Sequence, residues 1–317
     1  MAMDTQTDRG VFVTLRDLVA LEGLARHIPL RSARPVRTLV AGRRTSTTRG
    51  RGLAFEEMRQ YQPGDDVRTI DWRATARSGK PFVRVYDEEK DRPVFLVVDQ
   101  RANMFFGTRR SMKSVSAAET AALFAWRALG EGDRVGGIVL DDDDMDTIRP
   151  TRERAGVMRL LQTIVMRNNA LAAEPRALAP SRLGNALEAV SRLAHHDHLI
   201  VVISDFDGNG PRTHDLLTQL ANSNNIVAAL VYDPFLLDLP SSGAIVAGAQ
   251  GRQAELRFGV SSVREGVSRF ASDRRSTVLE WRAKLGVFVL PISAAEETAP
   301  QLVRLLHRQT IQGARSP

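Results

Sequence analysis

Residues 94–140 read VFLVVDQRANMFFGTRRSMKSVSAAETAALFAWRALGEGDRVGGIVL. Val94 to Val98 is an unbroken apolar run held between Pro93 and Asp99. It is strand-sized and reads as a strand buried on both faces. Ser114 to Leu129 then reads as a helix, and Val135 to Leu140 as a second strand. The same alternation continues outward. Helices are expected near Arg152–Met166, Leu183–Leu193, Thr213–Ala221, Ser261–Leu285 and Glu296–Gln309, with strands at Leu199–Ile203, Ile226–Val231 and Val287–Leu290. Short apolar runs with polar ends, separated by helices, predict an α/β fold with a doubly wound, mostly parallel sheet covered by helices on both faces. In such sheets ligands bind beyond the carboxyl ends of the strands, so the residues following Val98 and Ile203 are the first candidates for a site.

Upstream of Pro93 the pattern changes. Residues 50–93 hold nine basic and nine acidic residues densely mixed, with Gly52, Pro63, Gly64 and Gly79 breaking them into short segments. Before that, Val11, Leu15, Leu18, Leu21, Leu24, Ala25 and Ile28 fall at helical spacing ahead of Pro29 and predict one amphipathic helix. The expected division is 1–92 for the amino-terminal helix, basic connector and irregular segment, and 93–317 for the α/β domain.

The formal net charge of +7 is concentrated at the start: residues 1–52 hold ten Arg against four acids, and eight of those Arg lie between Arg26 and Arg51 with no acid among them. Such an arm could attract phosphate, an anionic membrane surface or an acidic partner. It lacks the interleaved aromatic residues of a single-strand platform, so nucleic acid is disfavoured as the partner. No apolar run approaches the length of a membrane span, and the first residues do not resemble a signal peptide, so the cytoplasm is the expected compartment. The absence of cysteine excludes disulfides, thiolate metal sites and cysteine nucleophiles.

Residues 50–93, GRGLAFEEMRQYQPGDDVRTIDWRATARSGKPFVRVYDEEKDRP, resemble the domain-of-unknown-function family 58. The residues that carry the resemblance are Glu56, Glu57, Arg59, Tyr61, Pro63, Gly64, Asp65, Asp66, Arg68, Ile70, Asp71, Trp72, Ala74, Ala76, Gly79 and Pro81. Asp99, the Gly-Asp-Arg-Val at 132–135 and Ser204-Asp205 resemble that family's von Willebrand factor A-like half. The resemblance spans about residues 11–310. It implies a von Willebrand factor A-like domain in a non-enzymatic partner of a MoxR-type AAA+ ATPase, chaperone-like in action, with other von Willebrand factor A proteins as further partners. In the 50–93 segment, Arg59, Asp65, Asp66, Arg68, Asp71 and Trp72 are the candidate partner-binding residues. Read on their own chemistry, the same acids and arginines equally suit internal ion pairing.

The resemblance also implies a metal centre. A von Willebrand factor A domain commonly holds Mg²⁺ through Asp-x-Ser-x-Ser, a Thr from a second loop and an Asp from a third, the oxygen ligands a hard cation prefers. Here Asp99 is kept, but Arg101 and Asn103 stand at the two Ser positions, Asn185 is offered in place of Thr, and Asp205 is the third-loop acid. A guanidinium about 5 Å from a divalent ion opposes it by several kcal/mol at an effective dielectric near 20. Two readings stay open. Either Arg101 turns inward, replacing the metal as an internal cation of Asp99 and Asp205, or it turns outward, leaving a weakened Mg²⁺ site at Asp99, Asn103, Asn185 and Asp205. No cofactor is expected to be required.

Other combinations carry less. Asp141 to Asp144 with Asp146 lack the calcium-loop spacing and suit a hairpin turn. His195, His196 and His198 lie on a connector too short for them to converge on a metal. Ser204 has no nucleophile elbow around it, and no phosphate-binding loop occurs, so neither hydrolase nor ATPase activity is expected. The apolar positions of Ser261–Leu285 read as core packing.

Overall fold

The structure, a computed structural model, describes residues 10–30, 53–62, 65, 67–88, 93–172, 179–249 and 252–313. The basic arm beyond Leu30 and Asp66 lie outside the described residues. The chain divides into two compact units, residues 1–35 with 92–317, and residues 36–91. The amino-terminal helix therefore belongs to the larger unit, where the sequence reading had grouped it with the segment that follows.

That helix is also two helices. α1 (Leu15–Ala20) starts with a reciprocal cap between Thr14 and Asp17, and α2 (Glu22–Ala25) follows after Leu21. Within α1 the carbonyl of Leu18, whose partner in one continuous helix would be the N–H of Glu22, accepts the indole N–H of Trp126 at 2.9 Å. A tertiary partner thus takes a backbone group at the place where one continuous helix had been expected.

The smaller unit pairs β1 (Leu53–Gln60) with β2 (Phe82–Glu88) in antiparallel fashion, with an irregularity between Phe55 and Glu57. Their connection carries α3 (Trp72–Ser78). Asp71 caps its first turn, accepting from the N–H groups of Arg73 and Ala74 at 2.9 and 3.0 Å. Gly79 ends it in the left-handed region at φ 70°, the conformation glycine adopts without a Cβ penalty.

The larger unit runs on through β3 (Val94–Asp99), α4 (Lys113–Gly130), β4 (Val135–Leu140), β5 (Met145–Thr151), α5 (Arg154–Asn169), α6 (Ser181–Leu193), β6 (Leu199–Ser204), α7 (Pro211–Ser223) and β7 (Asn225–Tyr232). The hairpin β8 (Ala244–Ala249) and β9 (Arg252–Arg257), α8 (Ser261–Leu285), β10 (Phe288–Ser293) and α9 (Thr298–Gly313) complete it. The central sheet has the order β10-β7-β6-β3-β4-β5, parallel throughout except for β5, which turns back on β4. This is the doubly wound, mostly parallel sheet with helices on both faces that the sequence predicts.

Alternation along each strand divides the core. Val94, Leu96 and Val98 join the cluster that includes Leu18, Leu123, Leu160 and Leu302 from the helices of one face. Phe95 and Val97 join Leu183, Leu217, Val278 and Trp281 on the other. Strands buried on both sides must be apolar at every position, which is why these runs were continuous in the sequence.

Two features differ from the sequence reading. The β8–β9 hairpin was not foreseen, because Ala244–Ala249 and Arg252–Arg257 give neither a strong alternation nor a tight-turn dipeptide. Nor is α8 a core helix along its length. Only Val278 and Trp281 are buried, while Phe270 is 64% exposed, because the helix meets the sheet through its carboxyl half.

Candidate functional site

Since β3 and β6 are parallel neighbours, Asp99 at the end of one and Ser204-Asp205 at the end of the other come together at the carboxyl edge of the sheet. Ser204 Oγ donates to Asp99 Oδ2 at 2.6 Å and accepts the N–H of Phe206 at 2.8 Å. The loop after β3 then turns through a short 3₁₀ segment, Ala102–Met104, and Arg101 at its start folds back inward. Its Nε donates to Asp99 Oδ1 at 2.9 Å and its Nη2 to Oδ2 at 2.7 Å, the paired geometry that matches a guanidinium to a carboxylate. The Arg101 backbone N–H adds a third donor to Oδ1 at 3.0 Å. The remaining guanidinium protons reach the carbonyls of Asp207 at 3.1 Å and of Ala179 and Pro180 at 3.4 Å.

Arg101 is 1% exposed, which removes the outward orientation from consideration. Burial acts against its charge. Asp99 beside it, with Asp205 and Asp207 further off, outweighs burial and holds its pKa above the ordinary arginine value.

Asp205 has a different counterion from the one expected. Among the described residues Arg101 pairs directly with Asp99 alone, while Lys113 at the first position of α4 places Nζ 2.5 Å from Asp205 Oδ2. The bidentate grip on Asp99 fixes the plane of the Arg101 guanidinium and leaves Asp205 to a second cation. Asn103 Nδ2 and the Asp207 N–H donate to Asp205 Oδ1 at 2.7 and 2.9 Å, and Arg274 Nη1 approaches Oδ2 at 3.5 Å. Arg274 bonds Asp207 more closely through Nη2 and lies over the ring of Phe270. Burial would raise the Asp205 pKa, but Lys113 and Arg274 together with its hydrogen bonds hold it below the usual carboxylate range.

Each of the two carboxylates therefore receives four donors, about the number its lone pairs accommodate. Divalent metal does not fit this arrangement. The oxygens that would bind it already serve Arg101, Ser204, Asn103, Lys113 and Arg274, and the fixed cations would repel it. Asn185 points its amide oxygen to Arg212 Nη1 at 3.1 Å. Asn103 enters the cluster as a donor to Asp205.

Neighbouring acids at the same edge are also tied internally. Asp142 accepts the N–H groups of Ala102 and Ala179 at 2.6 and 3.0 Å, and Asp233 at the end of β7 accepts Thr108 through both backbone and hydroxyl. Asp141 accepts from the N–H groups of Asp143 and Asp144, forming the hairpin turn between β4 and β5, and Arg167 bridges Asp141 and Asp146. Among the described residues, the His196 ring meets Asp197 and the His198 ring meets the carbonyl of His196.

In the smaller unit, Arg59 grips Asp65 with two bonds of 2.8 and 2.6 Å, and Asp71 serves as the cap of α3. Trp72 is 71% exposed beside them, and Arg68 is exposed. Ion pairing and a presented surface thus coexist in one segment. Lys113, Arg274 and the bonding role of Ser204 were not foreseen. Lys113 lies fourteen residues beyond Asp99, at the start of α4 and in no fixed-spacing motif, and only the packing of α4 against the sheet brings it to Asp205.

A family model described as protein of unknown function DUF58 matches residues 57–277. Uncharacterized protein Rv1480 of Mycobacterium tuberculosis is 30% identical over 262 residues, covering 81% of this chain and 80% of that protein, and Uncharacterized protein Mb1516 of Mycobacterium bovis matches equally. Among solved structures, the conserved hypothetical protein BatB from Bacteroides thetaiotaomicron is similar at a TM-score of 0.41 and 14% identity, covering 71% of this chain and 100% of that one. A von Willebrand factor type A protein from Catenulispora acidiphila is similar at 0.34 and 8%, covering 72% and 43%. The extended match to the family model and the mycobacterial relatives lead to one conclusion: the chain belongs to the DUF58 family.

Proposed function

We propose that this protein is a non-enzymatic, protein-binding component that acts as an adaptor or co-chaperone of a MoxR-type AAA+ ATPase, with its metal-ion-dependent adhesion site closed by internal cations. The saturation of Asp99 and Asp205 carries this reading. The carboxyl edge of the sheet is where an α/β fold usually binds its ligand, yet its acids here are bound to Arg101, Lys113, Asn103 and Ser204. Neither carboxylate is free to act as a base or to hold an ion. Recognition then falls to exposed surface, and Trp72 is a large, rigid, half-polar side chain of the kind that dominates protein interfaces. The choice of ATPase follows from the family resemblance and the absence of a phosphate-binding loop in this chain.

The test is a binding measurement between the purified full chain and a MoxR-type ATPase from the same genome, by fluorescence anisotropy in apo, ADP and non-hydrolysable ATP states. A nucleotide-dependent complex is expected. Trp72→Ala should weaken it by about 30-fold, the value of an interface hot spot of about 2 kcal/mol. No complex in any nucleotide state would sink the adaptor reading.

A further inference from the structure

Three carboxylates, Asp99, Asp205 and Asp207, meet three cations, Arg101, Lys113 and Arg274, through direct contacts at the carboxyl edge of the sheet. The cluster is electrically balanced. Removing one cation leaves a single uncompensated negative charge, and removing two leaves a charge of the size a divalent ion neutralises. Of the three, Arg101 occupies Asp99 and Lys113 occupies Asp205, whereas the shorter of Arg274's two acid contacts goes to Asp207. Lys113 is moreover the first residue of α4, where the helix dipole disfavours positive charge. Asp205, within 2.5 Å, is the local group that favours a cation there.

We infer that Lys113 is a second built-in cation of this site, as necessary as Arg101 for excluding divalent metal, so that metal binding appears only when both side chains are removed. The inference rests on the closed-site reading in the proposed function and adds a residue and a stoichiometry to it. A cavity of about 40 Å³ borders Lys113, Asp205 and Arg274 and is otherwise lined largely by apolar residues such as Leu230, Val231 and Leu236, so loss of the Lys113 side chain opens space beside the Asp205 oxygens, and the inference rests on charge.

The experiment titrates Mn²⁺, followed by electron paramagnetic resonance and calorimetry, into the full-length wild type, Arg101→Ser, Lys113→Ser and the double variant. The double variant is expected to bind Mn²⁺ at least about 100-fold more tightly than either single variant, since each remaining cation opposes the ion directly. Binding by Arg101→Ser that matches the double variant overturns the role of Lys113 while leaving a closed native site. A folded double variant without Mn²⁺ binding overturns the inference. Binding by the wild type overturns the closed-site reading itself. Should the double variant fail to fold, a thermal double-mutant cycle decides the assignment. The melting temperature lost in Lys113→Met should be partly recovered by adding Asp205→Asn and not by adding Asp99→Asn. Equal recovery from both rejects two dedicated counterions.

Discussion

Lys113 Nζ sits 2.5 Å from Asp205 Oδ2, with only 7% and 5% of the two side chains open to solvent. A pair this deeply buried is valuable mainly through what its loss would leave behind, a charge without a partner in a dry place. The same holds for Arg101 and Asp99, and this governs how the site responds to change.

Arg101→Ala strands the buried Asp99 carboxylate and should destabilise the protein by about 3–5 kcal/mol. Arg101→Lys restores the charge but not the fork that grips both oxygens, and should recover only part of the loss. Urea unfolding of the three proteins checks this; an unchanged midpoint in Arg101→Ala would contradict the described pairing.

Ser204 holds two partners at once, donating to Asp99 and accepting from Phe206 N–H in a fully buried position. Ser204→Ala should cost about 1–3 kcal/mol through the buried groups left unpaired. The same substitution at exposed Ser276 should lie within about 0.5 kcal/mol of the wild type. Equilibrium unfolding compares them directly.

Gly208 lies in the loop after β6 at φ 76°, and a Cβ there would come within 2.6 Å of the Pro180 Cβ. Pro180 also lends its carbonyl to Arg101. Gly208→Ala therefore combines a left-handed backbone with a clash against a ring that cannot swing away, and should cost about 2–4 kcal/mol. Thermal unfolding should show it as a drop of several degrees.

His198, half-buried at the entry to β6, has its pKa lowered first by burial and then by the neighbouring Arg134, His195 and His196 charges, against a raising hydrogen bond to the His196 carbonyl. The folded state resists protonation more than the unfolded chain does. Its contribution to stability is thus complete above the unfolded value of about 6.5 and declines as the pH falls from there through the folded value. Between pH 7 and pH 5 the wild type should lose stability more steeply than His198→Gln. Parallel slopes would show that other groups carry the effect.

Trp72→Ala should leave the unfolding midpoint within about 0.5 kcal/mol of the wild type, because the side chain is largely exposed. Asp71→Ala, which removes the cap of α3, should cost about 1 kcal/mol. Together these variants separate a presented residue from a structural neighbour.

Much of the larger unit was legible because its strands are covered on both faces. The limits of Val135–Leu140 and Ser261–Leu285 read from the sequence coincide with β4 and α8. Other boundaries shifted by a few residues, as with Arg152–Met166 against Arg154–Asn169. The exposed half of α8 was misjudged because its apolar positions keep helical spacing whether or not anything covers them. The site was half legible. Asp99, Arg101, Asn103 and Asp205 lie next to strand ends and could be named from position alone, but Asn185 was assigned to the cluster and instead bonds Arg212.

The sequence by itself determined the alternating α/β frame, the family and the conflict between a metal site and Arg101, because apolar periodicity and local motifs are properties of neighbouring residues. Only the tertiary structure decided which cation serves which acid. Lys113, Arg274 and Ser204 reach the Asp99–Asp205 pair from α4, α8 and β6, and electrostatic partnership depends on distances through space that the order of residues along the chain does not encode.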